Sequence, residues 1–260
     1  MTKRAVVTGA STGIGAATVR ALHAAGWEVI AVARRADRLN ALAEELGVHA
    51  VPTDLTDDAA VNRLAHLLAE LDGVDALVNV AGGARGAESV ENGSIDDWRW
   101  MFEANVIATK RLTSALLPEL RRAASLRGVA SILTVTSTAG LTAYQGGGGY
   151  NAAKFAEHAM MSAMRLELAG EPIRVMELAP GLVKTEEFAL NRLAGDAEAA
   201  SAVYNGVDEP LTADDVAEVI VDALNKPKHV NLDLIVLRPV AQAAQHLLIR
   251  EPLKVRASDG

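Results

Sequence analysis

Tyr150 and Lys154 stand four residues apart in the stretch GGGGYNAAK, residues 146–154. On a helix beginning near Tyr150 the two share a face, about one turn apart. A nearby ammonium favours phenolate, lowering a tyrosine pKa from about 10 toward working pH. Tyr150 is then equipped to donate a proton to a carbonyl or to take one from an alcohol. Ser137 closes the run SILTVTS, thirteen residues before Tyr150. A parallel sheet presents functional groups at the carboxyl edge of its strands, so this hydroxyl is placed to hold a substrate oxygen beside Tyr150. Four glycines in a row also read as a flexible linker. Strand-like sequence continues beyond them, however, and a domain boundary there would cut through a sheet. As part of a site, the glycines are expected to leave room at a substrate mouth.

A second candidate lies near the N-terminus, where VVTGASTGIGAA sets Gly9, Gly13 and Gly15 between the first apolar run and the first helical one. Glycines there permit a tight turn and let backbone N–H groups face a pyrophosphate at the positive end of the helix. The spacing is G-x-x-x-G-x-G, and Ala16 stands where a P-loop needs lysine, which disfavours ATP or GTP. The alternative is a tight turn with no ligand. About 20 residues on, an NAD-selective site places Asp or Glu at the end of the second strand. Here Ala33 is followed by Arg34 and Arg35. A guanidinium suits the 2′-phosphate of NADP, so NADP(H) is expected in preference to NAD(H), which stays possible. Otherwise both arginines only solvate a loop. A cationic oxidised nicotinamide would push Tyr150 the same way as Lys154.

The elements that must position these residues are visible as alternation. Short apolar or β-branched runs at 4–8, 28–33, 49–52, 76–79, 131–136, 173–178 and 232–237 alternate with Ala/Leu-rich stretches such as 13–26, 38–47, 59–71 and 212–224. This is the pattern of βαβ units on a parallel sheet. The fold class expected is α/β, a single-domain doubly wound parallel sheet of about seven strands with helices on both faces. Gly26 and Gly47 close their helices, and Thr212 with Asp215 forms a near capping box. The 260 residues, half of them hydrophobic and 3% aromatic, suit one core over residues 1–260. A net charge of −8 argues against a nucleic-acid partner. No cysteine is present, which removes thiolate chemistry and Cys-based metal sites. No apolar run reaches the length of a membrane span, and the N-terminus lacks a signal-peptide pattern, so a soluble cytoplasmic protein is expected.

Taken in order, TGASTGIG, NVAG, FEANV around Asn105, Ser137, YNAAK and PGLVKT make the chain similar to the single-domain short-chain dehydrogenase/reductases, with a Rossmann-type fold. The likeness runs from about residue 3 to 240. It implies Tyr150 as catalytic acid/base and Ser137 as the substrate-orienting residue. Lys154 would lower the Tyr150 pKa and bond the nicotinamide ribose, and Asn105 would hold a relay water beside Lys154. Cofactor contacts are implied for Gly9, Ser11, Thr12, Gly13, Ile14, Gly15, Arg34, Arg35, Asp54, Leu55, Asn79, Ala81, Gly82, Tyr150 and Lys154, and for Pro180, Gly181, Val183 and Thr185 in the nicotinamide loop. Val80 departs from the family's usual second asparagine, and a local change in hydrogen bonding is expected there. The segment near 183–206 is expected to be a substrate lid, with Phe188, Leu190, Leu193 and Tyr204 as apolar contacts, or else an ordinary helical insertion. The tail near 238–260 resembles NADP-dependent enzymes acting on 3-hydroxy acids, such as serine or 3-hydroxypropionate types, and implies a homotetramer or homodimer.

The six histidines lack metal spacing and read as structural or surface residues, and no metal is implied. Asp57/Asp58, Asp96/Asp97 and Asp214/Asp215 sit at helix starts, where they complement the dipole. Trp98 and Trp100 read as packing residues. The leading reading is an NADP(H)-dependent oxidoreductase that interconverts a secondary alcohol or hydroxy acid and its ketone or aldehyde, its partner a small-molecule substrate. The alternative is a catalytically silent NADP-binding sensor on the same fold. A halohydrin lyase fits less well, since Lys154 and the glycine loop would have no purpose.

Overall fold

The computed structural model describes residues 2–255. Seven strands form one parallel sheet: β1 (Arg4–Thr8), β2 (Glu28–Ala33), β3 (His49–Pro52), β4 (Ala76–Asn79), β5 (Ala130–Val135), β6 (Ile173–Pro180) and β7 (Leu234–Leu237). They lie in the order β3-β2-β1-β4-β5-β6-β7. The chain therefore steps outward from β1 to β3, returns, and steps outward from β4 to β7 on the other side. That reversal beside β1 opens a crevice at the carboxyl edge, where ligands bind in such sheets.

The helices are α1 (Gly13–Ala24), α2 (Ala36–Leu46), α3 (Asp58–Ala69), α4 (Ile95–Phe102), α5 (Ala108–Arg127), α6 (Gly148–Glu167), α7 (Phe188–Arg192), α8 (Ala197–Ala202) and α9 (Ala213–Asn225). Successive strand side chains point to opposite faces, and the core divides accordingly. Val7 and Val78 join Leu22, Leu39, Val216 and Ile220 on the face covered by α1, α2 and α9. Val6 and Leu77 join Leu64, Leu112, Leu116 and Met161 under α3, α5 and α6. Burial on both faces explains why the inner strands read as unbroken apolar runs instead of alternating ones.

The helix ends follow the sequence signals. Asp57 accepts the Ala59 N–H at 2.9 Å to cap α3, and Thr212 and Asp215 form a complete capping box on α9. Gly47 ends α2 in the left-handed region at φ 74°. The strand boundaries differ from expectation by one residue at each end of β5, expected at 131–136, and by more at the far edge. β6 runs on to Pro180, whose missing N–H costs nothing because the following Gly181 N–H bonds the Leu237 carbonyl at 2.7 Å. β7 starts two residues later than expected, at Leu234, because the Asn231 side chain donates to the Val175 carbonyl at 3.1 Å where strand backbone would otherwise pair. After β7, a two-stranded antiparallel hairpin, β8 (Gln242–Ala244) with β9 (Leu247–Leu248), occupies the tail. Residues 256–260 of the expected oligomerisation tail lie outside the described residues. No helix among the described residues is long and apolar enough to cross a membrane.

Buried Arg174 on β6 ties the sheet to the end of α9. Its guanidinium donates to Ser131 Oγ at 2.9 Å and to the carbonyls of Leu224 at 2.8 Å and Lys226 at 3.2 Å. Unpartnered buried acceptors cost about 1–3 kcal/mol each. Arg174→Leu is therefore expected to lower unfolding stability in urea by about 2–4 kcal/mol, with Arg174→Lys recovering less than about half, because an ammonium lacks the fork. A leucine variant as stable as the parent would refute this role.

Candidate functional site

Gly9 follows β1 at φ 64°, and a Cβ there would meet the Ala81 backbone N at 3.0 Å. At Gly15 a Cβ would overlap the Gly9 carbonyl oxygen, so the turn between β1 and α1 closes only with hydrogen at that position. Thr8 Oγ1 accepts from the N–H groups of Val80 at 2.9 Å and Ala81 at 3.0 Å, holding the end of β4 against the glycine loop. These are backbone donors, so the loop and the end of β4 are joined with Val80 in place of an asparagine. Asn79 donates to Thr113 and Thr134, each at 3.3 Å. The buried Asn79 Oδ1 and Thr12 Oγ1 have no hydrogen-bond partner among the described residues. Thr12 is also the N-cap of α1 and makes no capping bond, which leaves the first N–H groups of α1 without a side-chain partner. Ala81 and Gly82 continue from β4 beside this loop. Ile14 packs partly against the core, and Thr185 lies 3.5 Å from where a Gly13 Cβ would be.

Arg35 bends back over the same loop. Its Nε and Nη2 donate to Ser11 Oγ at 3.3 and 3.0 Å, and its Nη1 meets Glu187 Oε1 at 2.8 Å. Arg38 reaches the same Glu187 oxygen at 3.4 Å. Arg34 is exposed. Asp54 accepts from Thr56 N–H at 3.0 Å and Thr56 Oγ1 at 2.8 Å, and the backbone bond above all holds its carboxyl below the usual carboxylate range. Leu55 is buried, with its carbonyl bonded by Arg111 at 2.8 Å. Val183 bridges Leu211, and with Pro180, Gly181 and Thr185 forms the loop leaving β6.

Tyr150 lies in the first turn of α6 and Lys154 one turn on, both buried, with the Lys154 Nζ 5.9 Å from the tyrosine ring centroid. Ser137 begins a single 3-10 turn (Thr138–Gly140) after β5, its Oγ accepting the Ala139 N–H at 3.0 Å. The three side chains expected from the sequence thus converge at the carboxyl edge. The influence expected of Lys154 on Tyr150 has the expected sign but does not prevail among the chain's own groups. Burial pushes the phenol above its ordinary value, and Lys154 and the Ser137 hydroxyl, which both favour phenolate, do not outweigh it. Asn105 is fully buried in a π turn, Glu103–Ile107, between α4 and α5. Its Nδ2 donates to Met101 O at 2.6 Å, the carbonyl its own backbone N–H would take in a regular helix, and this opens the turn. The same amide clamps Gly83, accepting from its N–H at 3.1 Å and donating to its carbonyl at 2.9 Å.

The glycine run does not leave an open mouth. A Cβ on Gly148 would sit 3.1 Å from Trp98, and one on Gly149 2.9 Å from Trp98, so the missing side chains let α4 pack directly on the start of α6. Trp98 and Trp100 pack beside the small cluster of Ala84, Met101, Val106, Ala139, Tyr150 and Ala153 that backs the tyrosine. The segment 183–206 carries two short helices, and Phe188 stands edge-on to Tyr150 with ring centroids 5.7 Å apart. Tyr204 donates to the Val183 carbonyl at 3.2 Å, which ties the segment to its own base. Leu190 and Leu193 are half-buried.

Two charged residues at the site belong to no motif. Arg192 comes off α7, donates to Tyr144 Oη at 2.7 Å and to the carbonyls of Gly146 at 2.9 Å and Gly86 at 3.1 Å, and has its guanidinium carbon 5.9 Å from the Tyr150 ring centroid. None of its partners among the described residues is a carboxylate. Glu157 pairs with Lys154; its i+3 spacing is readable in the sequence, whereas Arg192, 42 positions after Tyr150, gives no such signal.

The arrangement, an uncapped helix end and glycine loop beside a buried Ser/Tyr/Lys group, has relatives. A family model described as short chain dehydrogenase matches residues 3–193. An uncharacterised oxidoreductase of Mycobacterium tuberculosis is 51% identical over 96% of each chain. A serine 3-dehydrogenase of Agrobacterium fabrum is 37% identical over 92% of this chain and 94% of the relative. Among solved structures, the closed form of a serine dehydrogenase complexed with NADP+ superposes with a TM-score of 0.86 at 33% identity, over 98% of this chain and 99% of that one. Sequence and fold agree along nearly the whole length, and the chain belongs to the short chain dehydrogenase family of oxidoreductases.

Proposed function

We propose that this chain is an NADP(H)-dependent dehydrogenase that interconverts a 3-hydroxy acid, or a related secondary alcohol, and its carbonyl form, with Tyr150 as acid/base. The observation carrying this reading is the convergence of buried Ser137, Tyr150 and Lys154 beside the glycine loop. The cofactor fits the residues present. The unpartnered Thr12 Oγ1 and Asn79 Oδ1, the uncapped start of α1 and the Gly9/Gly15 approach form a polar cradle for a pyrophosphate and its neighbours. Bound there, the nicotinamide would supply or accept the hydride. Ser11 and Arg35 are the groups on this chain suited to a 2′-phosphate, which would take the place of Glu187 on Arg35. The similar solved structure with NADP+ supports this preference.

Tyr150 would protonate the carbonyl oxygen during reduction while Ser137 holds that oxygen. Its raised pKa keeps the phenol protonated at neutral pH, the form reduction requires. Alcohol oxidation requires phenolate and is expected to accelerate as pH rises toward the tyrosine pKa. Phe188 packs edge-on against the ring. Arg192, with only neutral partners among the described residues, is placed to pair with the carboxylate of a hydroxy acid, and similarity to a protein named serine 3-dehydrogenase supports an acid-bearing substrate.

Tyr150→Phe is expected to lower turnover by about 10²–10⁴-fold with cofactor binding retained, measured by NADPH fluorescence and steady-state rates; undiminished turnover would exclude the assigned role. Arg35→Ala should weaken NADPH binding by about 10–100-fold and leave NADH within about twofold, as expected for losing bonds to a charged group. Equal losses for both cofactors would remove the 2′-phosphate assignment. Replacing Arg192 with methionine should raise KM for a 3-hydroxy carboxylate by about 10–100-fold, with a neutral alcohol changed by no more than about threefold; parallel changes for both substrates would place the acid group elsewhere.

A further inference from the structure

Glu157 is 1% exposed, on α6 between the sheet and α5. A buried carboxylate is costly unless paired, and this one is held on both oxygens. Oε2 lies 2.6 Å from Lys154 Nζ, and Oε1 accepts from Thr109 Oγ1 of α5 at 3.4 Å. Lys154 is itself 4% exposed, and its other partner among the described residues is the Val135 carbonyl at 3.4 Å. Its ammonium thus has one neutral acceptor and one full countercharge. The groups facing Glu157 are Lys154 and Tyr150 from its own helix, Thr109 from α5 and Glu177 from β6. Glu177 is fully buried and has its own partners, Thr136 Oγ1 at 2.7 Å and His158 Nδ1 at 2.8 Å. Glu177 adds a smaller attraction to the Lys154 ammonium, but the carboxylate that bonds it is Glu157.

We propose that Glu157 is a positioning residue for the reaction: its buried carboxylate anchors the Lys154 ammonium in its charged form at the place from which it acts on Tyr150. The reasoning is that of a buried lysine. Desolvation by itself drives such a group toward the neutral amine, and only a close anion reverses the balance. At Lys154 the balance is reversed, with Glu157 as the largest opposing influence, and the ammonium is held above its ordinary pKa. Without Glu157, desolvation would again favour the neutral amine. The phenolate of Tyr150 would then lose the neighbouring charge that favours it. Glu157 touches neither substrate nor reacting atoms and acts through Lys154 alone. This role rests on the proposed dehydrogenase function.

The test compares Glu157→Gln with the parent across pH, following kcat/KM for alcohol oxidation at saturating NADP+. The parent rate should climb with pH throughout the range up to about pH 10, because the Tyr150 phenol is held above its ordinary value. Scaled to the parent at neutral pH, the variant should climb less steeply and lie at least about tenfold below the parent by about pH 10, as Lys154 without its countercharge gives up its proton and stops favouring phenolate. A variant profile that overlays the parent after scaling would overturn the proposal, since a merely structural defect lowers the amplitude at every pH alike. A second measurement needs no substrate: melting temperatures of Lys154→Met, Glu157→Leu and the double variant. A buried ion pair predicts a double variant more stable than the sum of the single losses, because each single change strands one buried charge. Single variants that fail to fold beside a double variant that folds give the same support, and strictly additive losses overturn it. If the parent turns over no alcohol or carbonyl tried, the dehydrogenase reading fails, while the melting cycle still decides whether the pair exists.

Discussion

All seven strands run in one direction, and the rest of the structure depends on that constraint. Parallel pairing sends every chain reversal through a crossover, which puts helices on both faces and buries both sets of strand side chains. It also collects every strand's carboxyl end on one edge. Gly9, Arg35, Asn79, Ser137 and Gly181 come from five different strand ends and would be strangers in any antiparallel arrangement. The reversal of winding between β1 and β4 then leaves the gap into which those ends project.

Much of this was legible because it is local. Strand runs, helix caps and the glycine loop each depend on neighbours within a few residues, and β1 to β4 begin and end where the residue types place them. The larger boundary shifts came for tertiary reasons: Asn231 delays β7 by bonding across to Val175, and the ladder carries β6 through Pro180. The site divides along the same line. Tyr150 with Lys154 is a helical spacing and can be read directly. Arg192 reaches Tyr144 and Gly146 from a segment with no regular pattern, so only packing reveals it. The glycines before Tyr150 announce themselves by composition, yet their use is set by Trp98, about 50 positions earlier, which fills the space they leave.

Electrostatics shows the same limit more sharply. Spacing alone says that Lys154 favours ionised Tyr150, which is correct in sign. It cannot say that burial opposes the effect and outweighs it, because burial is a property of the assembled fold. Lys154, Glu157, Thr109, Glu177, Thr136 and His158 form a polar seam between α5, α6 and β6, in which each buried charge has a partner from a neighbouring turn or element. Such a seam ties the acid/base residues to the rigid core rather than to the loops around them.

The π turn at Glu103–Ile107 carries one residue more than a regular helix would need for the same advance. Everything after it is rotated by about 100°, the angle one residue occupies in an α-helix. Thr109 and Thr113, the α5 residues that reach Glu157 and Asn79, owe their directions to that rotation. Deleting a single residue here would restore an unbroken helix and turn both threonines away from the sheet. The register of α5, and with it the hydrogen bonds linking its side chains to both halves of the cleft, is thus set by one side-chain amide, that of Asn105, standing in for a backbone N–H.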